Sequence, residues 1–107
     1  MPYNYATDEL STAAFEVLLL HPGCSRDRWI KTLMEQYSIE VIDTYGTNPF
    51  VIRAALADLW LHPYTDLATG ATLTYRQWAS RLSTEADIDR YYQRINPTTD
   101  TYQRIQK

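Results

Sequence analysis

Three side chains in this sequence are of the type that holds transition metals: His21, Cys24 and His62, the first two only three residues apart. A structural zinc site takes four such ligands in paired spacings, and the chain has two histidines and one cysteine in all, so no metal site is expected. Both histidines precede a proline where a helix should end, a place where an imidazole serves the last carbonyls. Cys24 lies in a Gly23-Cys24-Ser25 turn at a helix start, which would favour a thiolate, yet no residue pattern supplies the base and orienting acid of a nucleophile. It reads as a partly buried thiol beside a helix cap. Asp87 and Asp89 stand two apart, on different sides of a helix, and are explained by the positive pole at its start. Phosphate-cradling loops and dinucleotide fingerprints need more than the three glycines present. The expectation is a protein without catalysis, cofactor or metal.

Recognition chemistry is what remains. Nine tyrosines and three tryptophans provide amphipathic aromatic surface suited to a core or to a protein partner. Trp29, Trp60 and Trp78 fall on apolar helical stripes and are assigned to the core. Tyr91, Tyr92 and Tyr102 flank arginines, and packing on a partner helix fits them better than base stacking, because the composition offers no basic groove. The net charge is −3, with four basic and eight acidic residues up to position 60 and six and five beyond it. A single cysteine forms no internal disulfide, which suits the cytoplasm. The first residues lack the positive start and apolar run of a signal peptide. The best apolar run, Ala13 to Leu20, is interrupted by Glu16 and too short for a bilayer, so no membrane association is expected.

The elements that must position these groups can be read from periodicity and caps. Thr7 caps a first helix with Asp8 and Glu9 in its first turn and an apolar face from Leu10 to Leu20, ended by His21-Pro22-Gly23. Ser25 caps a second, whose stripe is Trp29, Ile30, Leu33, Met34 and Tyr37. Residues 38–47 read as a short strand or extended loop, since Ile39, Val41 and Ile42 are β-branched and Tyr45-Gly46-Thr47 forms a turn. Asn48-Pro49 opens a third helix with a buried stripe of Val51, Ile52, Ala55, Leu56, Leu59 and Trp60. A β-hairpin around Thr69-Gly70 fits the next stretch. Thr74 and Gln77 then make a capping box for a fourth helix from about Tyr75. A fifth runs from about 84 to 95 with acids first and arginines last, stopped by Asn96-Pro97. Tyr92-Gln93-Arg94-Ile95 recurs as Tyr102-Gln103-Arg104-Ile105, a single recurrence too slight for a repeat architecture.

The fold class is therefore mainly α: a small five-helix domain over 1–97 with a short β element, followed by a tail at 98–107. Leu18, Trp29, Leu33, Ile52, Leu56, Trp60, Trp78, Leu82 and Ile88 are expected in its core. Tyr91, Tyr92 and Ile95 form a stripe with no evident covering segment, and a homodimer is expected to rest on them.

The stretch from Phe15 to Leu82 resembles the winged helix-turn-helix, and within that class the PadR type of regulator. The resemblance is carried by Val17-Leu18-Leu19-Leu20-His21-Pro22-Gly23, by Trp29 through Tyr37, by Arg53-Ala54-Ala55-Leu56-Ala57-Asp58-Leu59, and by Leu73-Thr74 opening the next helix. It implies a three-helix core at about 8–82, a third helix in the major groove, a hairpin on the backbone or minor groove, and dimer-building helices at the end. On that basis Thr47, Asn48 and Arg53 would approach base edges while Arg26, Arg28 and Lys31 hold phosphates. The sequence departs from the pattern where contact would occur. The third helix has one cation, the hairpin has no Lys or Arg, Asp58 and Asp66 would repel phosphate if exposed, and the family's aromatic and following glycine are missing. The other reading is a protein-interaction or accessory module, of a kind often phage-derived, that binds no nucleic acid.

Overall fold

The computed structural model describes residues 6–95, with Arg94 and Ile95 as backbone only. Six helices and one two-stranded antiparallel sheet make up these residues, in the order α1 (Asp8–Leu20), α2 (Arg26–Gln36), α3 (Ser38–Tyr45), α4 (Pro49–Leu59), β1 (Pro63–Thr65), β2 (Thr72–Thr74), α5 (Tyr75–Arg81) and α6 (Glu85–Ile95). The caps foreseen in the sequence are in place. Thr7 accepts from the Leu10 N–H, Ser25 from Arg28 and Asn48 from Phe50. Thr74 and Gln77 form the reciprocal box, each side chain accepting the other's backbone N–H.

Residues 38–47 depart from the expected extended conformation. Ser38–Tyr45 is helical, because Val41 is 1% exposed and the spacing Tyr37, Val41, Tyr45 turns one face toward the core. β-branched residues lose only a few tenths of a kcal/mol in a helix, and packing of this size overrides that. A strand here would also have lacked a partner, since β1 pairs only with β2. Gly46, at φ +90°, ends α3 and donates its N–H to the Ile42 carbonyl. Tyr45-Gly46-Thr47 is thus a helix end and turn.

Helices α2, α3 and α4 each pack against the other two, with α1 laid across α2, α3 and α5. All nine residues assigned to the core are buried. Trp29 packs 4.9 Å from Trp60 and 5.4 Å from Tyr75 between ring centroids, and its indole N–H donates to the Ala14 carbonyl. Trp78 meets Phe15 and Tyr91 edge-on and donates to the carbonyl of Tyr64 in β1, which anchors the hairpin. The hairpin register pairs Pro63 with Thr74, Tyr64 with Leu73 and Thr65 with Thr72.

The aromatic stripe of α6 needs correction. Tyr91 and Tyr92 are 6% and 9% exposed within this one chain, so they are core residues with no free face for a dimer. Tyr91 is covered by the hairpin loop and by Trp78: its hydroxyl donates to Thr69 Oγ1 at 2.6 Å, with Asp66 Oδ2 at 3.4 Å. The Ile95 side chain, the Asn96-Pro97 stop, the recurring Tyr102-Gln103-Arg104-Ile105 and the tail at 98–107 lie outside the described residues.

Candidate nucleic-acid interface

The outer face of α4 follows from its sequence. Ile52, Ala55, Leu56 and Leu59 take the inner side, which leaves Phe50, Arg53, Ala54 and Ala57 at helical spacing on the other. This face and α2 bound a groove of about 830 Å³. Ile30, Met34, Ala54 and Ala57 supply its apolar lining, Arg26, Lys31 and Arg53 its cations, and Asp27 and Glu35 its acids. At Arg26, Asp27 and Ala57 it continues into a depression of about 440 Å³ beside Trp60 and Leu61, where α5 contributes Arg76. Arg26 and Asp27 are 3.6 Å apart and exposed, a pairing too weak to withdraw the arginine from another partner.

Of the six residues expected to contact DNA, the structure brings Arg26, Lys31 and Arg53 to this groove. Arg28 is turned elsewhere, with its guanidinium 3.4 Å from Nδ1 of His21 at the end of α1. Thr47 and Asn48 are exposed in the turn before α4. Asn48 Oδ1 is already committed, since it accepts the Phe50 N–H at 2.9 Å. A bidentate contact to adenine needs both the oxygen and the amino group; the cap uses one lone pair of the oxygen and fixes the orientation of the amide.

Two residues of this surface were missed from sequence. Phe50 is 82% exposed on the first turn of α4, and its absence from the buried stripe was the available signal. Arg76 lies within the capping box, between Thr74 and Gln77, and nothing local ties it to α2. The acids fall unevenly. Asp58 is exposed on α4, whereas Asp66 is 6% exposed and occupied in the hairpin loop, where its side chain accepts from the Ala68 N–H, so its carboxyl does not lie on this surface. The hairpin loop exposes Leu67 at 89%.

The remaining reactive groups are spoken for. Burial pushes the Cys24 thiol up against the weaker opposing pull of Arg28, which disfavours a nucleophilic thiolate. Hydrogen bonding with the Ser83 and Thr84 side chains, then Arg90, holds the Asp87 carboxyl below the usual carboxylate range at the start of α6, where its backbone N–H donates to Thr84 Oγ1. Among the described residues no three of His, Cys, Asp or Glu gather closely enough to share a metal ion, and no helix is long and apolar enough to cross a membrane. No known family, curated protein or solved structure matches this chain.

Proposed function

We propose that this is a small winged-helix regulator that binds duplex DNA in the cytoplasm, with α3 and α4 as its helix-turn-helix and β1–β2 as its wing. The observation that carries the reading is local. Two helices are joined by the three residues Gly46-Thr47-Asn48, a hairpin follows directly, and the outer face of the second helix borders a groove holding three cations. The helix preceding α4 is α3, not α2, so α2 closes the three-helix unit and presents Arg26 and Lys31 alongside the reading helix. Phosphate contacts from these side chains would set position, with Thr47, Asn48 and Arg53 near base edges. The acidic total does not prevent this when cations converge on one face.

Titration of a mixed-sequence duplex over a salt series tests the proposal. Micromolar to sub-millimolar binding at about 50 mM salt that weakens steeply as salt rises is the expected result, because displaced counterions generate that slope. No binding at about 50 mM, where screening is weak, overturns it. A second reading, a protein-binding accessory module, draws on α3, where Ile39 and Ile42 are 71% and 41% exposed one turn apart. It becomes the working description if DNA is not bound.

A further inference from the structure

We infer that Phe50 is a specificity residue that packs on the 5-methyl group of thymine in the major groove. The inference rests on the DNA-binding reading and adds to it which base is preferred. Phe50 occupies the second position of α4, and residues at the start of a reading helix are those that reach base edges. Its ring is 82% exposed, so the fold makes little use of it. It shares a face with Arg53, one turn further on, and that face borders the groove where Arg26 and Lys31 also stand. A duplex held at Arg53 would reach the Phe50 ring one helical turn before it.

The neighbouring polar groups narrow the chemistry further. With Asn48 Oδ1 accepting the Phe50 N–H, the orientation of that amide is fixed by the cap, so the polar groups at the start of α4 do not adapt to whichever base lies beside them. An exposed phenyl ring can form no hydrogen bond with a base. Thymine is the standard base that presents a methyl group in the major groove, and apolar contact with that methyl is the one sequence-dependent interaction open to the ring.

Replacing thymine by uracil deletes only that methyl, so an alternating dA·dT duplex and its dA·dU counterpart are the probes. Burying one methyl group corresponds to about fourfold in affinity, and the intact protein is expected to bind the thymine duplex about fourfold more tightly. Phe50→Ala is expected to bind both duplexes equally, and Phe50→Leu to keep most of the preference. Because the ring is exposed, thermal unfolding of both variants should match the parent, which separates lost contact from lost fold. Equal binding of the two duplexes by the intact protein, or an undiminished preference in Phe50→Ala, overturns the thymine assignment and leaves DNA binding standing. Failure to bind either duplex at low salt overturns the DNA-binding reading, and this inference with it.

Discussion

Arg26 and Arg28 are two residues apart and are expected to behave oppositely, which makes them a sharp test of the interface. Each phosphate neutralised on duplex DNA contributes about 0.9 to the slope of log affinity against log salt. Arg26 and Lys31 are the phosphate contacts of the groove and Arg53 faces base edges, so replacing all three by alanine should lower the slope by about 1.8. Between about 50 and 200 mM salt those two phosphate contacts account for about a 12-fold loss of affinity, and the triple variant should be spared that part of it. Arg28→Ala should leave the slope where it was, since its guanidinium lies against His21 at the end of α1. Fluorescence anisotropy of a labelled duplex, read for each variant at several salt concentrations, gives the slopes directly. The three groove side chains are exposed, so the substitutions should not disturb folding, which circular dichroism checks. If Arg28→Ala lowers the slope as much as Arg26→Ala does, or the triple variant keeps the parental slope, the groove does not carry the phosphate strand and the reasoning fails.

Three further outcomes concern the scaffold. Tyr91→Phe keeps the ring against Trp78 but removes the donor to Thr69 and the hydroxyl beside buried Asp66; a loss of about 1–3 kcal/mol is expected in urea unfolding followed by tryptophan fluorescence, with the m-value unchanged. Gly23→Ala would place a Cβ 2.8 Å from the Ser83 carbonyl oxygen at φ +74°, and a loss of about 2 kcal/mol or more should lower the thermal midpoint by several degrees. Burial, with a smaller contribution from Asp58, pushes the Tyr45 hydroxyl up to about 12 from 10.0. The folded state thus keeps a proton that the unfolded chain has lost, so the stability linked to Tyr45 is complete below pH 10 and drains away as pH rises toward 12. That hydroxyl has no hydrogen-bond partner among the described residues, so Tyr45→Phe should be at least as stable at pH 7 and show a shallower alkaline decline in urea midpoints.

Most of the helical boundaries were legible because caps are local: Thr7, Ser25, Asn48 and Thr74 each announce a helix within three residues of the donor they bind. α3 was not, because Ile39, Val41 and Ile42 carry strand propensity and the burial of Val41 that outweighs it is set by packing with other helices. The tyrosines of α6 misled for a related reason. The cover of Tyr91 comes from Thr69 and Asp66, more than twenty residues earlier, and pattern within one helix cannot reveal it. In the candidate interface, helical spacing already separates Arg26 from Arg28, since residues two apart do not share a helix face, whereas the resemblance puts both on phosphates. The meeting of Arg53 and Arg76 with α2 was not, because it is tertiary.

The hydroxyl contact between α6 and the hairpin loop also sets an order of assembly. Strands of three residues are too short to hold a two-stranded sheet by themselves, and this one leans on Trp78 at its base and on Tyr91 at its loop. On a ribosome, where the amino-terminal part emerges first, α2, α3 and α4 can dock while the loop still lacks its anchor. The loop gains it only after Tyr91 has emerged, 22 residues behind Thr69. A nascent chain therefore presents its helices before its hairpin is fixed, and completion of α6 is the event that makes the surface whole.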